Sequence, residues 1–126
     1  MSGYSAQGAA EYALQHAAGV SVGSCAKYVR LAIKNGGGAN IGQTLSAKNY
    51  GPLLLPNGFY EISAAAPRQV GDIAVIQPSP NTSQHGHMAI FVGHYWVSDF
   101  VQNNGYYPSQ TYRNDRPPVK FYRRTN

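Results

Sequence analysis

The residue with the most chemical potential in this chain is its single cysteine, Cys25. A cysteine attacks a carbonyl carbon as the thiolate, and a helix N-terminus or a neighbouring imidazolium lowers its pKa. The sequence predicts that Cys25 lies in the first turn of a helix, because Val29, Ala32 and Ile33 continue an apolar stripe from it. The backbone N–H groups around Ser24 and Cys25 would then face an incoming carbonyl oxygen and form part of an oxyanion hole. The same stripe also fits an inert, buried thiol.

Two further residues could complete a nucleophile, base and acid. His87 begins the apolar run 87–92, and a base at the start of a core strand has a rigid backbone and an open rim. If the next strand returns antiparallel through the turn at Gly93, Asp99 comes back beside His87 and could orient its imidazole. Asn103, on the same segment, is the alternative for that third role. A surface histidine and a solvated carboxylate at a strand end are the plain structural alternatives.

Metal chemistry is not predicted. The histidines at 85, 87 and 94 are joined by no acidic cluster, and their spacing matches no zinc signature. We therefore expect no metal and no cofactor. One cysteine also excludes an intrachain disulfide.

The elements that must position these residues are helices in the first half and strands in the second. We predict helices over 5–18 and 25–35 and a short one within 46–55, broken at Gly51–Pro52. Strands are predicted over 70–76, 87–92 and 95–101, with edge strands at 111–113 and 119–122. This order indicates an α+β fold, with N-terminal helices packed on an antiparallel sheet. A chain of 126 residues has room for one domain, residues 1–126.

The chain is basic, with a formal net charge of +5 and ten tyrosines. A basic protein is drawn to polyanions, whether nucleic acid, anionic membrane or cell wall. Tyrosines could stack on single-stranded nucleic acid, but the basic residues lie mostly outside the aromatic strands, so no nucleic-acid partner is predicted. No apolar run approaches the ~20 residues of a membrane span. The start, Met-Ser-Gly-Tyr-Ser, has no signal-peptide pattern, which predicts synthesis in the cytoplasm.

Four runs, in this order, resemble the CHAP amidases and the related NlpC-type cell-wall peptidases: 24–30 (SCAKYVR), 71–75 (GDIAV), 86–92 (GHMAIFV) and 97–100 (VSDF). The resemblance covers residues 20–103. It implies a papain-like fold with Cys25 as nucleophile and His87 as general base. Asp99 falls where CHAP proteins usually have Glu and NlpC-type proteins often have His. Ser24 stands where NlpC-type proteins usually have Asp, and Gly71 with Asp72 would be structural.

A small, basic chain of this type is similar to the amidase effectors of type VI secretion. That resemblance implies hydrolysis of an amide bond in a peptidoglycan stem or cross-link, in the periplasm of a target bacterium. It also implies an immunity protein as inhibitor, and we expect a monomer. A phage lysin fragment, a papain-like deamidase or transglutaminase acting on protein, and a non-catalytic module that binds nucleic acid remain as alternatives.

Overall fold

The fold follows from a computed structural model that describes residues 3–126; Met1 and Ser2, the start of the stretch judged above for a signal peptide, lie outside this range. The helices are α1 (Ala6–His16), α2 (Cys25–Leu31), α3 (Gly51–Leu54) and α4 (Gln110–Asp115). A π-helical segment (Ala32–Gly37) extends α2, and 3₁₀ turns (Ala47–Asn49 and Leu55–Asn57) flank α3. The strands are β1 (Tyr60–Ile62), β2 (Ile73–Ile76), β3 (His87–Phe91), β4 (Trp96–Val97), β5 (Val101–Gln102) and β6 (Val119–Arg123). None of these helices is long and apolar enough to cross a bilayer.

The six strands form one antiparallel sheet in the order β1-β6-β2-β3-β4-β5. The predicted α+β arrangement of helices on an antiparallel sheet is therefore confirmed. Strands β2 to β5 form a meander, whereas β6 returns from the end of the chain to lie between β1 and β2. The C-terminal strand thus stands inside the sheet and not at its edge as predicted.

The two faces of the sheet bury different side chains. Because neighbouring side chains on a strand point to opposite faces, Met88 and Ile90 of β3 join the core beneath the helices. Ala89, between them, joins a second, aromatic core with Trp96 and Phe121. The helical face therefore carries α2, and the aromatic face carries α4.

The two long helices start and stop where short polar or glycine residues allow it. Ser5 caps α1 by accepting a hydrogen bond from the Gly8 N–H at 2.8 Å. The segment that extends α2 ends at Gly38, whose φ of 92° is left-handed and favours glycine. Gly8 of α1 also lies against the Gly36 carbonyl, where a Cβ would clash. This close approach holds α1 against the end of the second helix.

Two further local predictions, those for 111–113 and 95–101, are wrong. Residues 111–113 are helical and not an edge strand, because the Ser109 hydroxyl caps the Tyr112 N–H and starts α4. The helical stretch predicted over 46–55 is divided directly before Gly51–Pro52, as expected, and Pro52 is tolerated in the first turn of α3. The strand predicted over 95–101 is two short strands, and Asp99 lies in the turn between them. The first strand, β1, carried no pattern that predicted it.

Candidate active site

Cys25 is the first residue of α2, as predicted, and is half-buried. Its thiol lies against the backbone N–H of Met88, on the strand that begins with His87. Burial raises the pKa of the Cys25 thiol, and the N–H groups of Met88, Ala26 and Cys25 itself oppose that rise by stabilising the thiolate. The thiol is therefore neutral at rest, next to donors that would stabilise its ionised form.

His87 lies at the start of β3 and is 7% exposed. Its Nε2 is 2.7 Å from Oε1 of Gln102, a β5 residue that is 2% exposed. The Gln102 amide nitrogen donates to the carbonyls of Gly105, at 3.0 Å, and Tyr106, at 2.8 Å. These two acceptors fix the orientation of the amide, so Oε1 can only accept. The proton of the neutral imidazole must then sit on Nε2, which leaves the Nδ1 lone pair open.

Burial lowers the pKa of His87, while Gln102 and the charge of Asp99 oppose that shift. The imidazole is consequently neutral at physiological pH, with Nδ1 able to accept a proton. Because the thiol is also neutral, the resting pair is uncharged. A neutral base that lines the same cavity as a thiol can form the thiolate when a substrate is in place.

Asp99 does not contact the imidazole by a hydrogen bond; its carboxylate binds the loop before Cys25. Its Oδ2 accepts from the backbone N–H groups of Val22, at 2.7 Å, and Ser24, at 3.2 Å. Burial raises the pKa of Asp99, but hydrogen bonds from the N–H groups of Val22, Ser24 and Asp99 itself and from the Ser98 side chain outweigh it, and the pKa lies below its ordinary value. Asp99 is therefore ionised, close enough to act on His87 by its charge, and it fastens the loop that leads into α2. The hydrogen-bond partner of the imidazole is therefore Gln102, and not Asp99 as predicted.

Ser24 was predicted to contribute to an oxyanion hole. Its backbone N–H is committed to Asp99, so it does not face the substrate side. The Cys25 N–H remains as a helix-terminal donor next to the thiol. The expected donor thus moves by one residue along the chain.

A cavity of about 620 Å³ joins these groups. Cys25, His87 and Asp99 all line it, so the structure brings the three predicted residues together. Its walls come from α2, the 43–47 segment and α4, whose Tyr112 is 6.0 Å from the His87 ring, centroid to centroid. His85 also lines the cavity and is 2.7 Å from the Ser46 hydroxyl through Nδ1, whereas His94 lies exposed in the turn after β3.

Sequence reasoning missed Gln102 and Tyr112. Gln102 is a neutral amide in a segment where a carboxylate three residues earlier was the stronger signal. Its position in β5 becomes visible only once the turn at Asp99 is known. Tyr112 was missed because its segment was predicted as a strand.

Two solved structures are similar to this chain over nearly its whole length. A chain from the crystal structure of the type VI native effector–immunity complex Tae3–Tai3 of Ralstonia pickettii is 48% identical, with a TM-score of 0.89. The match covers 96% of this chain and 99% of that one. The chain belongs to the Tae3 family of type VI effectors. A chain from the selenomethionine form of the same complex is 49% identical, with a TM-score of 0.85, over 91% and 98% of the two chains.

Membership of the Tae3 family confirms the expected type VI effector and the papain-like α+β fold. No model of a known protein family matches the sequence, and no curated protein matches it either. The narrower resemblance to CHAP and NlpC-type proteins therefore stays a prediction.

Proposed function

We propose that this Tae3-family chain is a cysteine hydrolase that cleaves an amide bond in a peptidoglycan stem or cross-link and acts as an antibacterial effector. The observation that carries the proposal is the hydrogen bond from His87 Nε2 to a glutamine oxygen that can only accept. That bond leaves Nδ1 as a base in the same cavity as a thiol at a helix N-terminus. The proposed site of action is the periplasm of target bacteria.

The reaction follows from these positions. His87 Nδ1 takes the thiol proton as Cys25 Sγ attacks the carbonyl carbon of the amide, and the Cys25 N–H stabilises the oxyanion. The imidazolium, stabilised by Gln102 and the charge of Asp99, then protonates the leaving amine as the C–N bond breaks. A water molecule gives its proton to Nδ1 and hydrolyses the thioester, which releases the carboxylic acid and restores the thiol. Gln102 acts through His87 and is a positioning residue.

The Ralstonia pickettii effector was crystallised with its immunity protein Tai3. We propose that this chain likewise binds an immunity protein and is a monomer without it. We further propose that residues 1–126 form a single domain, since both cores pack on the same sheet.

The test is the release of soluble muropeptides from purified Gram-negative sacculi. Cys25→Ala and His87→Ala should abolish release, because one removes the nucleophile and the other the proton carrier. His94→Ala is the matched control, since His94 is exposed and outside the cavity. Circular dichroism checks that each variant folds. Full activity of a folded Cys25→Ala variant, or no release by the wild type, would refute the proposal.

A further inference from the structure

The cavity wall carries positive charge that the proposed reaction does not use. Lys27 and Arg30 of α2 both line it, next to Cys25. Asp99 is the only acidic residue among the cavity-lining residues, and its Oδ2 is bound by backbone N–H groups. Its Oδ1 is buried without a hydrogen-bond partner, and within residues 3–126 Asp99 forms no ion pair with Lys27 or Arg30. Two cations therefore face the cavity without a carboxylate of the chain to pair with them.

The two cations are neighbours on α2, close in sequence to Cys25. Residues three apart on a helix are neighbours on its surface. At a rise of 1.5 Å per residue, Arg30 lies about 7.5 Å along the axis from Cys25, and Lys27 about 3 Å. Both residues line the cavity that Cys25 also lines.

Arg30 lacks the hydrogen-bond acceptors that other arginines of this chain have. Arg123 holds Asp72 through two hydrogen bonds of 2.8 Å, and Arg124 donates to the Asn57 carbonyl at 2.9 Å. The Arg30 Nε is buried with no hydrogen-bond partner. Neither Lys27 nor Arg30 makes a side-chain hydrogen bond or ion pair with any residue in the range 3–126. A buried donor without an acceptor is unusual in a folded protein and points to a missing partner.

We propose that Lys27 and Arg30 form a carboxylate subsite that selects a peptide with a free carboxylate close to the scissile amide. The inference rests on the proposed function, which supplies the amide. A guanidinium matches a carboxylate in a bidentate geometry, and an ammonium adds a point charge. Because Lys27 and Arg30 line the same cavity as Cys25, the carboxylate lies near the bond that is cut.

The experiment compares two forms of the substrate, each with the wild type and with variants of the protein. Gram-negative sacculi are used as purified and after carbodiimide coupling with ammonium, which converts their carboxylates to carboxamides. Amidation should slow muropeptide release by the wild type about 10- to 100-fold, the loss expected for a hydrogen bond to a charged group. Arg30→Gln should slow release from untreated sacculi to a similar extent and respond little to amidation. Lys27→Gln should show a smaller effect in the same direction.

The controls separate this local effect from the general charge of the protein. Lys34→Gln removes one exposed positive charge outside the cavity and should respond to amidation as the wild type does. Arg30→Lys keeps the charge and should recover part of the rate, and circular dichroism checks the fold of each variant. Equal rates of the wild type on native and amidated sacculi would overturn the subsite and leave the hydrolase intact.

A wild type that releases nothing from either substrate would refute the hydrolase instead. Binding then tests the subsite without catalysis, by pelleting Cys25→Ala protein with native or amidated sacculi. Tighter binding to native sacculi, lost when Arg30→Gln is added, would support the subsite. Binding that ignores both changes would overturn it.

Discussion

Replacing Gln102 with leucine tests whether a neutral amide orients the catalytic imidazole. Leucine keeps most of the volume of a side chain that is 2% exposed but removes both its acceptor and its donors. His87 Nε2 then loses its 2.7 Å partner, and the carbonyls of Gly105 and Tyr106 lose their donor. Gly105 is exposed, so water can replace one of these bonds. The buried Nε2 of His87 and the Tyr106 carbonyl are left unpaired, so the free energy of unfolding should fall by about 1–3 kcal/mol for each of these groups that water does not reach.

The catalytic loss has a separate origin. A hydrogen bond to a charged group contributes ~1–2 kcal/mol more than one to a neutral group, and only that difference lowers the barrier. It corresponds to about 5- to 30-fold in rate. Without Gln102, part of the imidazole also carries its proton on Nδ1, where it cannot act as a base. We therefore expect kcat to fall about 10- to 100-fold.

The assay is kcat and KM on soluble cross-linked muropeptides as a function of pH. Gln102 raises the pKa of His87, so its loss should move the acid limb of the pH–rate profile to lower pH. A purely structural defect would lower the plateau without moving that limb. Asn103→Ala is the control, since Asn103 is exposed, lies next to Gln102 and does not line the catalytic cavity. A folded Gln102→Leu variant with wild-type kcat and an unmoved acid limb would refute the assignment.

Three further predictions follow from the same contacts. Asp99→Ala should reduce muropeptide release about 10- to 1,000-fold, with the ~10⁴ loss of a triad acid as the upper bound, and should destabilise the fold. Asp99→Asn keeps an acceptor for Val22 and Ser24 and should recover stability in urea unfolding. Equal stability of the two variants would mean that this anchoring is dispensable. Burial lowers the pKa of His87, so its contribution to the free energy of unfolding should be constant above the unfolded pKa near 6.5. This contribution should fall as pH drops below that value, by at most about 1.4 kcal/mol per pH unit. His87→Gln should flatten the decline in urea titrations, and an unchanged slope would contradict the prediction. Since surface charges are screened beyond ~10 Å at 0.1 M salt, raising ionic strength should weaken pelleting of the +5 chain with sacculi, and binding indifferent to salt would exclude a role for its basic surface.

The sequence alone determined the features that depend on local pattern. The apolar stripe after Cys25 placed it at a helix N-terminus, and the buried run from His87 placed that residue at the start of a strand; both positions are observed. These signals are strong because a helix and a core strand each repeat their apolar residues with a fixed period. The order of helices and strands likewise predicted the α+β fold.

The tertiary structure decided which polar group serves His87. Asp99 and Gln102 are three residues apart, and a tight turn between β4 and β5 sends the first toward the loop before Cys25 and the second to the imidazole. No periodic pattern encodes such a turn, because its geometry is set by the partners of Asp99 that lie more than 70 residues away in sequence. The role of the Ser24 N–H could not be predicted for the same reason, because this group donates to Asp99, which lies near the far end of the sheet. Local periodicity therefore fixed where the nucleophile and the base begin their elements, and long-range hydrogen bonds fixed how their neighbours are used.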